Sequence, residues 1–194
     1  MKKKNVNLST NKFIIITGLT RSGKTALTPI ICSMRNCEQF FFNTIVENLL
    51  IYNYLKLIND EISKSLIIRA INEEVYNKIY GRNLNNKKND FTNLKKYMGE
   101  VDYKKRILMK KSDLYTKNVL KKNFFPILLH EGLANLKLLE NLFNKVKIIN
   151  ISRHPVDIVN SWIKKDYVDK YFETSKSNII TINYKNKVLP FFLK

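Results

Sequence analysis

Residues 13–25, Phe-Ile-Ile-Ile-Thr-Gly-Leu-Thr-Arg-Ser-Gly-Lys-Thr, run an apolar, β-branched segment straight into Gly18-x4-Gly23-Lys24-Thr25. Phe13–Thr17 reads as a buried strand, because a short apolar run bounded by glycine suits a parallel sheet covered on both faces. Ser22 to about Met34 reads as the helix that follows, with Pro29 inside it as a kink or early end. A glycine-rich turn between strand and helix is built to bind phosphate. Its glycines let several backbone N–H groups converge on one anion, the helix adds its positive N-terminal end, and Lys24 or Arg21 adds full charge.

The same alternation continues downstream. Gln39–Phe42 is a second candidate strand, and Thr44–Leu57 reads as a helix. From about Asp60 to Lys122 the chain is helical in places and basic throughout, broken by the polar loop Asn83–Asp90. Phe124–Leu129 is an apolar run ending in His130-Glu131-Gly132, with a helix-like segment from Leu133 to Phe143 after it. Val146–Ile151 reads as another buried strand, ending at Ser152-Arg153-His154-Pro155. Pro155 suits a first helical turn, and Asp157 beside it suits the helix dipole. Ile179–Asn183 is a last short strand. The expectation is one α/β domain over residues 1–194, a three-layer P-loop NTPase-like fold. It has a mostly parallel sheet and a helical insertion at about 60–122. Ligands of such sheets bind beyond the carboxyl ends of the strands, where the glycine turn, His130 and Arg153 all fall.

Composition narrows the function classes. A chain of 194 residues with 44% hydrophobic content can bury one real core. The net charge of +19 is spread over a chain rich in Lys, Asn and Ile together. That pattern is a compositional bias, not a nucleic-acid-binding stripe, although a positive field favours an anionic ligand. Cys32 and Cys37 have no histidines near them in sequence, so no metal site is expected and they read as free thiols in a reducing compartment. No apolar run reaches membrane length. The basic start Met1-Lys2-Lys3-Lys4-Asn5 is followed by only about five apolar residues before Gly18, too few for a signal-peptide core. A cytoplasmic protein without a membrane span is expected. Trp162 and Phe40-Phe41-Phe42 read as core residues.

Two chemistries fit the turn. In a kinase or ATPase using ATP and magnesium, Lys24 would hold phosphates and Thr25 the metal. That chemistry also wants an acidic residue at the end of another strand. Val146–Ile151 offers none, and Phe124–Leu129 offers only Glu131.

The second chemistry comes from the other strand end. Residues 148–162, Ile-Ile-Asn-Ile-Ser-Arg-His-Pro-Val-Asp-Ile-Val-Asn-Ser-Trp, resemble the 3′-phosphate-binding segment of the sulfotransferase family. The matching positions are Arg153, Pro155, Asp157 and Ser161. The turn is similar to the family's 5′-phosphosulfate loop through Arg21, Ser22, Gly23 and Thr25, while Lys24 stands where Thr is usual. His130 matches the catalytic His of cytosolic sulfotransferases, which also ends the strand before the Arg-x-Pro segment; Leu128 replaces the lysine found two residues earlier. The resemblance covers roughly residues 12–47 and 124–192. It implies 3′-phosphoadenosine 5′-phosphosulfate as sulfuryl donor, no metal, and a hydroxyl or amine acceptor on a small molecule, glycan or protein. Arg21, Ser22, Gly23, Lys24 and Thr25 would hold the 5′ side, Arg153 and Ser161 the 3′-phosphate. His130 would be the base, with Lys24 and Arg21 stabilising the transferring group. Glu47 and Glu131 are rival bases, Glu47 lying near where protein-tyrosine sulfotransferases place a Glu. The family's later basic, glycine-containing segment has no counterpart before Lys194, so a C-terminally short member is implied. A non-enzymatic nucleotide-binding remnant is the further alternative.

Overall fold

A computed structural model describes residues 8–85, 87–88, 90, 93–108, 120, 123–130, 132–143, 146–166, 181–185 and 187–190. Strands β1 (Phe13–Thr17), β2 (Phe125–Leu128) and β3 (Lys147–Asn150) form a parallel sheet in the order β2-β1-β3. Ile15 pairs with Ile127 on one side and Ile148 on the other. The helices among the described residues are α1 (Lys24–Cys32), α2 (Thr44–Tyr54), α3 (Asp60–Ile79), α4 (Leu94–Leu108), α5 (Leu136–Leu142) and α6 (Pro155–Ile163). A 3₁₀ turn, Gly132–Asn135, leads into α5.

All five residues of β1 are buried, because the strand is central in the sheet and covered on both faces. Its alternating side chains divide the core. Phe13 and Ile15 join Phe125 and Ile127 in a cluster with Val46, Leu50, Ile67 and Ile71 of α2 and α3. Ile14 and Ile16 face the opposite way and pack with Leu128 and with Ile31 of α1. Each such side chain contributes about 1.5–3 kcal/mol by leaving water. Asn43 fixes the start of α2 by accepting from the amides of Ile45 and Val46, and Asn59 does the same for α3 at Ile62.

Three sequence expectations change in detail. Gln39–Phe42 is not a regular strand; parallel bridges form only at Cys37–Phe124 and Phe41–Ile127. The Glu38 amide donates to Phe124 O and the Phe41 amide to Pro126 O. Pro126 has no N–H to return, so the edge segment slips by one residue opposite it. Val146–Ile151 is not buried: Lys147 and Asn150 are exposed and the two isoleucines between them half-buried. Among the described residues β3 has a neighbour on one side only. The last strand, β4 (Thr181–Tyr184), pairs antiparallel with β5 (Lys187–Pro190) and stands outside the parallel sheet. Residues 179 and 180 lie outside the described set. The expected insertion contains α3 and α4, while residues 109–119 and 121–122 lie outside the described set.

The glycine turn is anchored where β1 meets the end of β3. The Ile151 amide donates to Thr17 O at 2.8 Å. Gly18 follows with φ +142°, and a Cβ there would stand 2.2 Å from the Ile151 carbonyl oxygen. Gly23 also has positive φ, +107°, but a Cβ there would meet nothing within 4 Å. Gly23→Ala therefore carries only backbone strain, about 1–2 kcal/mol. Gly18→Ala carries strain and a backbone collision, and is expected to cost about 3 kcal/mol or more in urea unfolding. Equal losses in the two variants would show that close approach at Gly18 contributes nothing.

Candidate anion-binding site

Thr20, Arg21, Gly23, Lys24, His130 and Arg153 line one cavity of about 570 Å³ at the carboxyl end of the sheet. Ligand pockets span about 300–1,000 Å³, so the space suits a nucleotide-sized molecule. Three different loops supply the polar side chains of the lining. Arg21 and Lys24 come from the turn after β1, His130 from the end of β2, and Arg153 from the link between β3 and α6. No carboxylate lines the cavity among the described residues.

A second cavity of about 270 Å³ shares Arg21 and Arg153 with the first and adds Asn160, Ser161, Lys164 and Lys165, with Asp157 as its one carboxylate among the described residues. The two are joined by direct bonds between the turn and α6. Arg21 Nε donates to Ser161 Oγ at 2.9 Å, and Trp162 Nε1 donates to Thr20 O at 3.3 Å. Arg21 is held with φ +69°, a left-handed conformation that a non-glycine residue keeps only where its surroundings impose it. Arg153 sits 3.8 Å from Asp157, both half exposed, a pairing weak enough to yield to a ligand.

Lys24 is 4% exposed. Its ammonium donates to the carbonyls of Gly18 and, at 2.8 Å, Leu19. Gly23 starts α1 with no side-chain cap, the arrangement that leaves leading helix amides for an anion. The hydroxyls of Thr17 and Ser22 are buried and have no hydrogen-bond partner among the described residues. Neither residue lines either cavity, so these two hydroxyls sit behind the turn and not at its open face. Thr25 is exposed at the mouth.

His130 is held from behind. Its backbone amide donates to Oε1 of Glu47, and the same oxygen lies 3.5 Å from Nδ1. Phe42 meets the imidazole edge-on at 4.9 Å between ring centres. Glu47 is fully buried in α2 and is not among the cavity-lining residues, so it supports His130 from outside the cavity. Its Oε2 has no hydrogen-bond partner among the described residues. Glu131, the other rival base and the proposed magnesium ligand, lies outside the described residues. Among the described residues no three His, Cys, Asp or Glu side chains cluster as a metal-binding group.

Every other residue singled out from the sequence for donor binding therefore falls on this pair of cavities or, as with Ser22, within the turn that forms it. Sequence reading missed Lys164 and Lys165. The two lysines were findable: they follow Ser161 by three and four residues, the spacing that shares a helix face. Trp162 and Phe42, read as core, instead brace the turn and the histidine; Phe42 is 42% exposed. Compared with known proteins, the chain matches no family model, no curated protein and no solved structure.

Removing the Glu47 carboxylate would strand the His130 amide. Glu47→Ala is expected to cost about 1–3 kcal/mol in urea unfolding, and Glu47→Gln, which retains an acceptor, clearly less. Identical stability of both variants and the parent would show that this contact does not hold the strand end.

Proposed function

We propose that this chain is a sulfotransferase on a P-loop-type three-layer domain. It takes 3′-phosphoadenosine 5′-phosphosulfate as donor and passes the sulfuryl group to a hydroxyl or amine. The observation that carries the reading is the pair of adjoining cationic cavities bridged by the Arg21–Ser161 bond. A donor with anions at two separated points needs two clamps, and both are drawn from the two motifs that carry the family resemblance.

The roles follow from chemistry. The turn, with Ser22, Gly23 and Thr25, grips the 5′-phosphosulfate through N–H and hydroxyl donors. Arg153 and Ser161 take the 3′-phosphate, Arg153 through a charge-assisted contact. Lys24 and Arg21 stabilise charge that builds on the transferring group during in-line attack. His130, at the cavity wall, accepts the acceptor's proton. The reaction runs in the cytoplasm, and the layout needs no metal ion.

Calorimetry with 3′,5′-adenosine bisphosphate, compared with ATP and magnesium, tests the reading. Tight bisphosphate binding without magnesium is expected. Magnesium-dependent ATP binding with no response to the bisphosphate would overturn the reading in favour of a kinase or ATPase. Arg153→Ala is expected to weaken bisphosphate binding by about 1–3 kcal/mol, the worth of a charged hydrogen bond. His130→Ala is expected to keep bisphosphate affinity while slowing sulfuryl transfer to the acceptor about 10²-fold or more. An unchanged rate would remove His130 as the base, and donor binding with no turnover would mark a nucleotide-binding remnant.

A further inference from the structure

Glu47 is carried inward on the first turn of α2, the helix whose Val46, Leu49 and Leu50 join the core. It is 0% exposed. A carboxylate taken out of water is costly unless partners offset the loss. Both side-chain contacts of Glu47 among the described residues are to His130: Oε1 accepts from its backbone amide and lies 3.5 Å from Nδ1. Oε2 has no hydrogen-bond partner among the described residues. The amide alone asks only for an acceptor, which a neutral glutamine supplies equally well. The buried acid is therefore matched to the ring. His130 spans the boundary between core and cavity. Its side chain is 35% exposed and lines the 570 Å³ cavity, whereas Glu47 does not reach that cavity. Phe42 meets the ring at 87° and limits its rotation. With Nδ1 turned to the interior, Nε2 is the nitrogen left for the cavity.

We propose that Glu47 is a positioning residue that holds His130 in its Nδ1–H form, so that Nε2 offers a lone pair to the cavity. The carboxylate also balances the imidazolium once Nε2 takes a proton. The reaction it serves rests on the sulfotransferase reading above; the pairing itself does not. In a neutral imidazole one nitrogen carries hydrogen and the other a lone pair. A lone pair on Nδ1 would face the Glu47 oxygen and be repelled, whereas an N–H there is attracted. A separation of 3.5 Å is long for a hydrogen bond, and such contacts tighten as charge develops. In the transfer step the acceptor hydroxyl's oxygen forms a new bond to sulfur. The bridging sulfur–oxygen bond to the 5′-phosphate breaks, and its electron pair leaves with the bisphosphate. The hydroxyl proton passes to Nε2, and the ring becomes a cation. Arg21, Lys24 and Arg153 line the same cavity, so a further positive charge is opposed from that side. Glu47 offsets it from behind.

The test uses the full chain, labelled with nitrogen-15. The chain has two histidines, so His154→Gln assigns the His130 signals. At a pH where the ring is neutral, two-bond nitrogen–proton spectra are expected to place the hydrogen on Nδ1. Glu47→Gln keeps an acceptor for the His130 amide, and circular dichroism checks that it keeps the fold. It is expected to lower kcat for sulfuryl transfer about tenfold or more, with KM and bisphosphate affinity unchanged. On a His130→Ala background the same substitution is expected to cause no further loss, because Glu47 acts only through the ring. Hydrogen on Nε2 in the parent, or an unaltered kcat in Glu47→Gln, would overturn the proposal. So would a full further loss on the His130→Ala background, which would mark Glu47 as a base in its own right. A parent with hydrogen on Nδ1 that transfers no sulfuryl group supports the pairing and overturns the sulfotransferase reading instead.

Discussion

The site depends on one backbone contact. Gly18 lies against the Ile151 carbonyl with no room for a side chain, while Ile151 bonds back to Thr17. These contacts lock the end of β1 to the end of β3. They bring the anion turn beside the segment that carries Arg153 and begins α6. From there α6 reaches back to the turn through Ser161 and Trp162. Two segments some 130 residues apart thus form one surface, by chain arithmetic on Gly18 and Ile151.

Charge is concentrated here by geometry and not by composition. Lysines occur along the whole chain, and most of those among the described residues lie on solvated surface where water screens them. At the sheet's rim, Arg21, Lys24 and Arg153 face a shared cavity with no lining carboxylate among the described residues. His130 joins them with its backbone fixed by Glu47 and its ring flanked by Phe42. A polar group set by contacts on two sides keeps its orientation without help from a ligand.

The parallel sheet was legible because β1 is apolar without interruption and ends at a glycine turn. The starts of α2 and α3 were legible too, at Thr44 and Asp60, each just after an asparagine that caps it, whereas the end of α2 falls at Tyr54 and not at the expected Leu57. The site was legible where residue type and strand end coincide, as at Arg153 and His130. It was not legible where packing alone brings residues together. Nothing in the sequence said that Glu47 would sit behind His130, because the two residues meet only after α2 folds onto the sheet. Nor did the sequence reveal that Pro126 would deny the edge segment a hydrogen bond and turn a predicted strand into two separated bridges. The exposure of β3 was misread for a related reason: an isoleucine pair looks the same in a central strand and at an edge.

The posture of Lys24 has a further consequence. An ammonium that folds into the protein gives up its water, a cost of several kcal/mol unless other dipoles replace it. Here the carbonyls of Gly18 and Leu19 replace it during folding. An anion drawn to the turn would therefore meet a cation that has already exchanged water for carbonyl oxygens. Much of the dehydration that weakens contacts between ions in water has been completed before any encounter takes place.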